Sequence, residues 1–153
     1  MTDAVVVGSV LYHADKAVCQ WVSERVPIMA GRQPNELYAA LGIVARGQMA
    51  AGIIFHNYRP TAKDMEITVA AESALWCRPK VLTRLFTYPF HQIGVKRITC
   101  MTSRSNKRCR RLIEGLGWKL EGVVRKAFDG REDLFVYGML KSECRFLKGE
   151  AHV

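Results

Sequence analysis

Two periods of apolar residues alternate along this chain and divide it into short elements. Residues 4–12 (AVVVGSVLY) are rich in β-branched side chains and predict a strand. From Asp15 to Val26 the spacing becomes helical, with Val18, Trp21, Val22 and Val26 on one face. Pro27 and the run 30–34 (AGRQP) break that pattern. Residues 37–46 and 49–58 predict two strands joined at Gly47-Gln48, a turn short enough for an antiparallel hairpin. Residues 65–71 (MEITVAA) read as a third strand of the series.

Helical spacing then returns over 79–93, where Val81, Leu82, Leu85, Phe86, Phe90 and Ile93 recur and Gly94 supplies a stop. Pro79 suits the first turn, but Pro89 lacks an N–H inside the pattern and must kink or divide the helix. A strand at 95–102 follows, then a helix from Asn106 that buries Cys109, Leu112, Ile113 and Leu116 and ends at Gly117. Strands at 118–127 and 133–140 flank the turn signal Asp129-Gly130.

This order predicts a mixed α/β (α+β) fold with a mostly antiparallel sheet of six to seven strands, flanked by helices. The crossover between 65–71 and 95–102 makes one strand pair parallel. Such a step opens a cleft at the strand ends, with a helix N-terminus facing it as a ready anion site. At 153 residues, without repeats or linkers, the expected organisation is one domain over 1–153.

Charge changes the picture more than composition does. Lys and Arg number 23 against 14 acidic residues, a net of +9 that favours an anionic partner such as nucleic acid, an acidic protein surface or a phosphorylated cofactor. The five cysteines lie apart without a C-x-x-C, which argues against both a zinc site and a disulfide framework. No metal is expected. The N-terminal apolar run is too short for a signal peptide or membrane span and has no basic stretch before it, so the expectation is a cytoplasmic protein without membrane contact.

The segment from Ser105-Asn106 through Leu116-Gly117-Trp118 to Glu121-Gly122 and Arg125 carries the specific signal, with support from 86–98 and from 133–140. It resembles the GNAT-type N-acetyltransferases, whose pattern is Asn, a helix, Leu-Gly-aromatic and then Glu-Gly with a basic residue. Within that superfamily it looks closest to RimJ/RimL-like and phage or prophage acetyltransferase-like proteins. The resemblance implies a V-shaped cleft between 65–71 and 95–102 that binds acetyl-CoA and passes its acyl group to an amine by direct attack on the thioester. The amine would belong to a protein N-terminus, a lysine or a small molecule.

On that reading Asn106 contacts the coenzyme, and the backbone around Val69-Ala70 serves the oxyanion. Ser105 would cap the second helix, and Lys107 or Arg104 would meet phosphate. The loop 72–80 (ESALWCRPK) departs from the pattern, because it has none of the glycines that let backbone hug a pyrophosphate. Arg78 and Lys80 stand in as side-chain charge. Ile113 occupies the place of the tyrosine acid that many relatives use. Candidate bases are Glu66, Glu72 and His56, and Tyr137 is a candidate acid. Cys77 and Cys109 are not needed as nucleophiles. A second reading stays open here: an inactive GNAT-fold binding protein of phage origin that contacts nucleic acid or a protein. A homodimer through the C-terminal hairpin, covering the apolar tail at 142–147, is a third.

Overall fold

The structure, a computed structural model, describes residues 3–26, 37–72 and 76–147. Among these residues the elements run β1 (Val5–Val7), β2 (Val10–Tyr12), α1 (Asp15–Ser23), β3 (Leu37–Ala45), β4 (Gln48–Arg59), β5 (Asp64–Ala71), α2 (Pro79–Thr87), β6 (Arg97–Ser103), α3 (Lys107–Gly115), β7 (Lys119–Val124) and β8 (Leu134–Leu140). One sheet holds all eight strands in the order β1-β2-β3-β4-β5-β6-β8-β7. Every neighbouring pair is antiparallel except β5 and β6. No helix among the described residues is long and apolar enough to cross a membrane.

The sheet has one strand more than expected because residues 4–12 form a hairpin and not a single strand. Gly8, at φ +63°, turns the chain between β1 and β2. The next hairpin turns at Arg46-Gly47, one residue earlier than the sequence pattern indicates, with both residues at positive φ (54° and 76°) and Ala45 paired to Gln48. Two consecutive positive φ values match the twist of a tight hairpin. Pro89 divides the long helical pattern: α2 ends at Thr87, and Tyr88–Ile93 continues as a π-helical turn. The Pro89 carbonyl accepts from the N–H groups of both Gly94 and Val95, at 3.0 Å each, and Gly94 at φ +87° ends the run.

Alternation along β4 and β5 sends Ile53, Phe55, Met65 and Ile67 to the face covered by α2. Ile54 and Ala70 go to the other face, against Val18, Cys19 and Val22 of α1. Gly52 makes that second packing possible, since a Cβ there would lie 2.6 Å from Val22 Cγ2.

The parallel join is short and strongly pinned. Only Asp64↔Arg97, Met65↔Ile98 and Glu66↔Thr99 are paired. Asp64 is 3% exposed. Its carboxylate accepts from Arg97 Nε at 3.1 Å, Thr99 Oγ1 at 2.9 Å and Arg59 Nε at 3.1 Å. Arg97 also reaches Glu121, the bulged residue of β7. Glu121 gets there by lying over Gly138, where a Cβ would stand 2.2 Å from its carboxylate. Removing one partner from such a buried cluster leaves charge uncompensated. Asp64→Asn should therefore lower stability by about 3 kcal/mol, and Gly138→Ala by about 1 kcal/mol through loss of the half-exposed Arg97–Glu121 pair. Urea unfolding midpoints at constant slope would check both.

Candidate functional site

Beyond Glu66 and Thr99 the two parallel strands part. β5 stays paired to β4 as far as Ala71, and β6 stays paired to β8 as far as Ser103. The opening between them is a cleft of about 380 Å³, within the size range of small-molecule sites. One wall is the edge of β5 from Ile67 to Ala71, and the other is Cys100–Thr102 of β6. Leu85 and Phe86 of α2 close it below, and Leu112, Ile113 and Leu116 line it from α3. The sequence pattern predicts those three and Cys109 as buried, yet α3 has no fully buried residue. Its apolar face lines the cleft and rests half-buried against the core, where a core helix would be fully covered.

At the α3 end Asn106, not Ser105, is the cap. Asn106 Oδ1 accepts from the Cys109 N–H at 3.2 Å, whereas the Ser105 N–H donates to Glu132 at 3.1 Å. The residue choice fits either position, and the chain's path decides. Asn106 also lines the cleft, and the cap uses only its carbonyl oxygen. Arg108 lines the cleft too, while Arg104 and Lys107 are exposed outside it. Arg104 faces Asp133 at 3.7 Å. Arg108 precedes Leu112 by four residues and so shares its helix face; that spacing was the signal available in the sequence.

Arg78 is the extended N-cap of α2, followed by Pro79 at the first position. The Arg78 carbonyl accepts from Leu82, so the Lys80 and Val81 N–H groups have no acceptor within the helix. Arg78 and Lys80 are exposed and lie outside the cleft lining. Residues 73–75 of the same loop are outside the described residues.

The candidate bases fall into two groups. Glu72 is tied to Arg25 of the α1 end, at 2.9 Å, on the cleft rim, where it is more than half exposed. Glu66 sits deeper, at the point where β5 and β6 part. Its Oε1 accepts from Asn57 Nδ2 at 3.1 Å, and its Oε2 lies 3.5 Å from His56 Nε2. His56, 4% exposed, also has Nε2 at 2.8 Å from Thr68 Oγ1. A register shift in β4 after His56 places Asn57 at φ +52°, a conformation asparagine tolerates, and its amide reaches Glu66. Sequence reading named His56 and Glu66 separately and missed Asn57 and Thr68.

Tyr137 is buried and absent from the cleft lining. Its hydroxyl accepts from Arg110 Nε at 3.2 Å and donates to Glu114 at 3.3 Å. Burial, helped by Glu114 and opposed by Arg110, raises its pKa. Among the described residues no three His, Cys, Asp or Glu side chains gather as metal ligands would.

All five cysteines are free. Burial pushes the Cys77 thiol up to about 11 and raises Cys109 as well, the latter opposed by a hydrogen bond from Thr102. The thiolate is the reactive form. Alkylation of Cys77 by iodoacetamide should thus be slow at pH 7 and quicken about tenfold per pH unit up to pH 9, followed by mass spectrometry. Fast labelling at pH 7 would restore a nucleophilic role.

No protein-family model matches the sequence, nor does any curated protein. Solved structures do match. A protein assigned as an acetyltransferase superposes with a TM-score of 0.68 at 19% identity, over 94% of this chain and 89% of its own. A second protein with that assignment gives 0.57 at 24% identity, over 69% of this chain; the chain spans 63% of its length. A dodecameric spermidine N-acetyltransferase from Vibrio cholerae gives 0.60 at 16% identity, over 68% of this chain and 65% of its own. At such identities the likeness is one of backbone architecture, and the chain has the fold of the GNAT-type acetyltransferases.

Proposed function

We propose that the cleft binds an acyl-CoA, acetyl-CoA in the simplest case, and transfers its acyl group to an amine. The observation that carries this reading is the abrupt end of the parallel join at Glu66–Thr99. It leaves a strand edge facing an apolar slot, as a thin chain of alternating amides and methylenes requires. The neighbours are described as acetyltransferases, which supports the same reading.

The residues present fit the coenzyme at three places. The edge of β5 at Val69-Ala70 offers backbone groups to pantetheine amides and to the thioester oxygen. At one mouth the first N–H groups of α2, with Arg78 and Lys80, suit a pyrophosphate, side-chain charge replacing a glycine-lined wrap. At the other rim the Asn106 amide and the Arg108 guanidinium suit polar and phosphate groups, with Ser105 and Lys107 beside them. The apolar side of α3 covers the slot.

The thioester would lie near the point where the strands part, beside Glu66. An amine approaching from the α1 face meets the Glu66 carboxylate first. Glu66 takes the proton as the amine nitrogen bonds to the carbonyl carbon, and returns it to the sulfur as the carbon–sulfur bond breaks. Glu72, paired to Arg25 at the rim, is better placed to meet the acceptor than to move its proton. The acceptor is an amine of a protein N-terminus, a lysine or a small molecule.

Titration calorimetry with acetyl-CoA tests the reading. Binding at micromolar to low-millimolar concentration is expected, and none at several millimolar would sink it. Asn106→Asp keeps the capping oxygen but loses the amide donor, so it should weaken binding about fivefold to tenfold while melting within a few degrees of wild type. Arg108→Ala should weaken CoA more than the dephospho form if it meets the terminal phosphate.

A further inference from the structure

The polar cluster on the α1 face of β5 has a direction built into it. His56 Nε2 faces two oxygens, Thr68 Oγ1 at 2.8 Å and Glu66 Oε2 at 3.5 Å. A carboxylate cannot donate to a ring nitrogen, so a bare Nε2 lone pair there would oppose negative charge. The arrangement therefore favours the tautomer with hydrogen on Nε2. Asn57 Nδ2 donates to Glu66 Oε1, which holds the carboxylate in place beside the ring. With Nε2–H pointing at Thr68, the threonine oxygen is the acceptor of that bond. Its own hydrogen must then point elsewhere, and Thr68 borders the cleft.

We propose that Thr68 is a catalytic hydrogen-bond donor, its hydroxyl aimed by His56 and Glu66 at the oxygen of the bound thioester. The proposal rests on the acyl-transfer reading above and supplies the side-chain donor that neither Ile113 nor Tyr137 provides. Thr68 transfers no proton. As the amine nitrogen bonds to the carbonyl carbon, negative charge gathers on the carbonyl oxygen, and the hydroxyl strengthens its hydrogen bond there. On collapse the carbon–sulfur bond breaks, the carbonyl re-forms, and the amine's proton passes by way of Glu66 to the departing sulfur. His56 is a positioning residue. It is 4% exposed and acts through the threonine.

Such a donor works in a dry site, where a preorganised hydroxyl needs no reorientation as charge develops. Thr68 is well held: β5 is paired on its β4 side at Ile54↔Thr68, and the imidazole fixes the hydroxyl oxygen. Valine has nearly the same shape without the hydroxyl, and serine keeps the hydroxyl without the methyl. The pair separates chemistry from packing.

The test uses the carbonyl stretch of acetyl-CoA labelled with ¹³C at the acetyl carbonyl, bound to the full chain, and needs no knowledge of the acceptor. Wild type and Thr68→Ser should shift the stretch to lower frequency relative to free acetyl-CoA, and Thr68→Val should lose most of that shift. Long-range nitrogen–proton spectra of His56 should show hydrogen on Nε2. Release of free thiol from acetyl-CoA, to water or to added amines, should fall about a hundredfold in kcat for Thr68→Val, with the acetyl-CoA Kd nearly unchanged. Failure of wild type to bind acetyl-CoA overturns the acyl-transfer reading and this proposal with it. Binding with the same stretch in wild type and Thr68→Val overturns the proposal alone, as does a His56 ring bare at Nε2.

Discussion

Everything of functional interest follows from one carboxylate. Asp64 begins the strand that must run parallel to β6, and it is buried between Arg59 at the end of β4 and Arg97 and Thr99 of β6. Parallel pairing across a crossover is weaker per residue than a hairpin ladder and forms between distant parts of the chain. Three residue pairs alone would hold poorly. The Asp64 cluster concentrates the attachment at one end, so that the other end is at liberty to part. A longer ladder would have closed the cleft, and a weaker pin would have lost the register that sets Glu66 opposite Thr99.

The two faces of the sheet then take different tasks. On the α2 face, Leu85, Phe86 and the open side of α3 make an apolar channel. On the α1 face, Glu66, His56, Thr68 and Asn57 form a small polar cluster in which each group is aimed by the next. The slot between the strands is where the two faces meet, so on the proposed reading a thioester lying there would be reached from one side by the acceptor and covered from the other. Gly52 helps to shape the α1 side. It lets α1 settle close on β4, which draws Arg25 near Glu72 on the rim.

The sequence made local features legible and left long-range ones dark. The helix start at 105–107, the proline break at 89 and the turn near Gly47 are written in neighbouring residues, and the structure reproduces them within a residue or two. The hairpin at Gly8 was lost because three valines outweighed one glycine. The cap moved from Ser105 to Asn106 because both residue types can cap, and only the tertiary path chooses. The cleft side of α3 was read as core because periodicity measures which face is apolar and says nothing about what that face meets. Asp64, Asn57 and Thr68 drew no notice, since their meaning depends on strand register and on a bulge, and neither is visible before pairing is known. Arg97, Glu121 and Gly138 are meaningful only together.

The half-buried face of α3 bears on how the molecule lives between ligands. A helix of nine residues with no fully buried side chain leans on the core only through half-buried contacts such as Leu112 and Ile113, and is too short to hold its order alone. Whatever fills the slot completes its packing, so occupancy and local folding become one equilibrium. On the proposed acyl-CoA reading, this helix should open more readily when the slot is empty than when it is filled. The level of the proposed ligand would then bear on the lifetime of the chain against proteases as well as on any reaction it carries out.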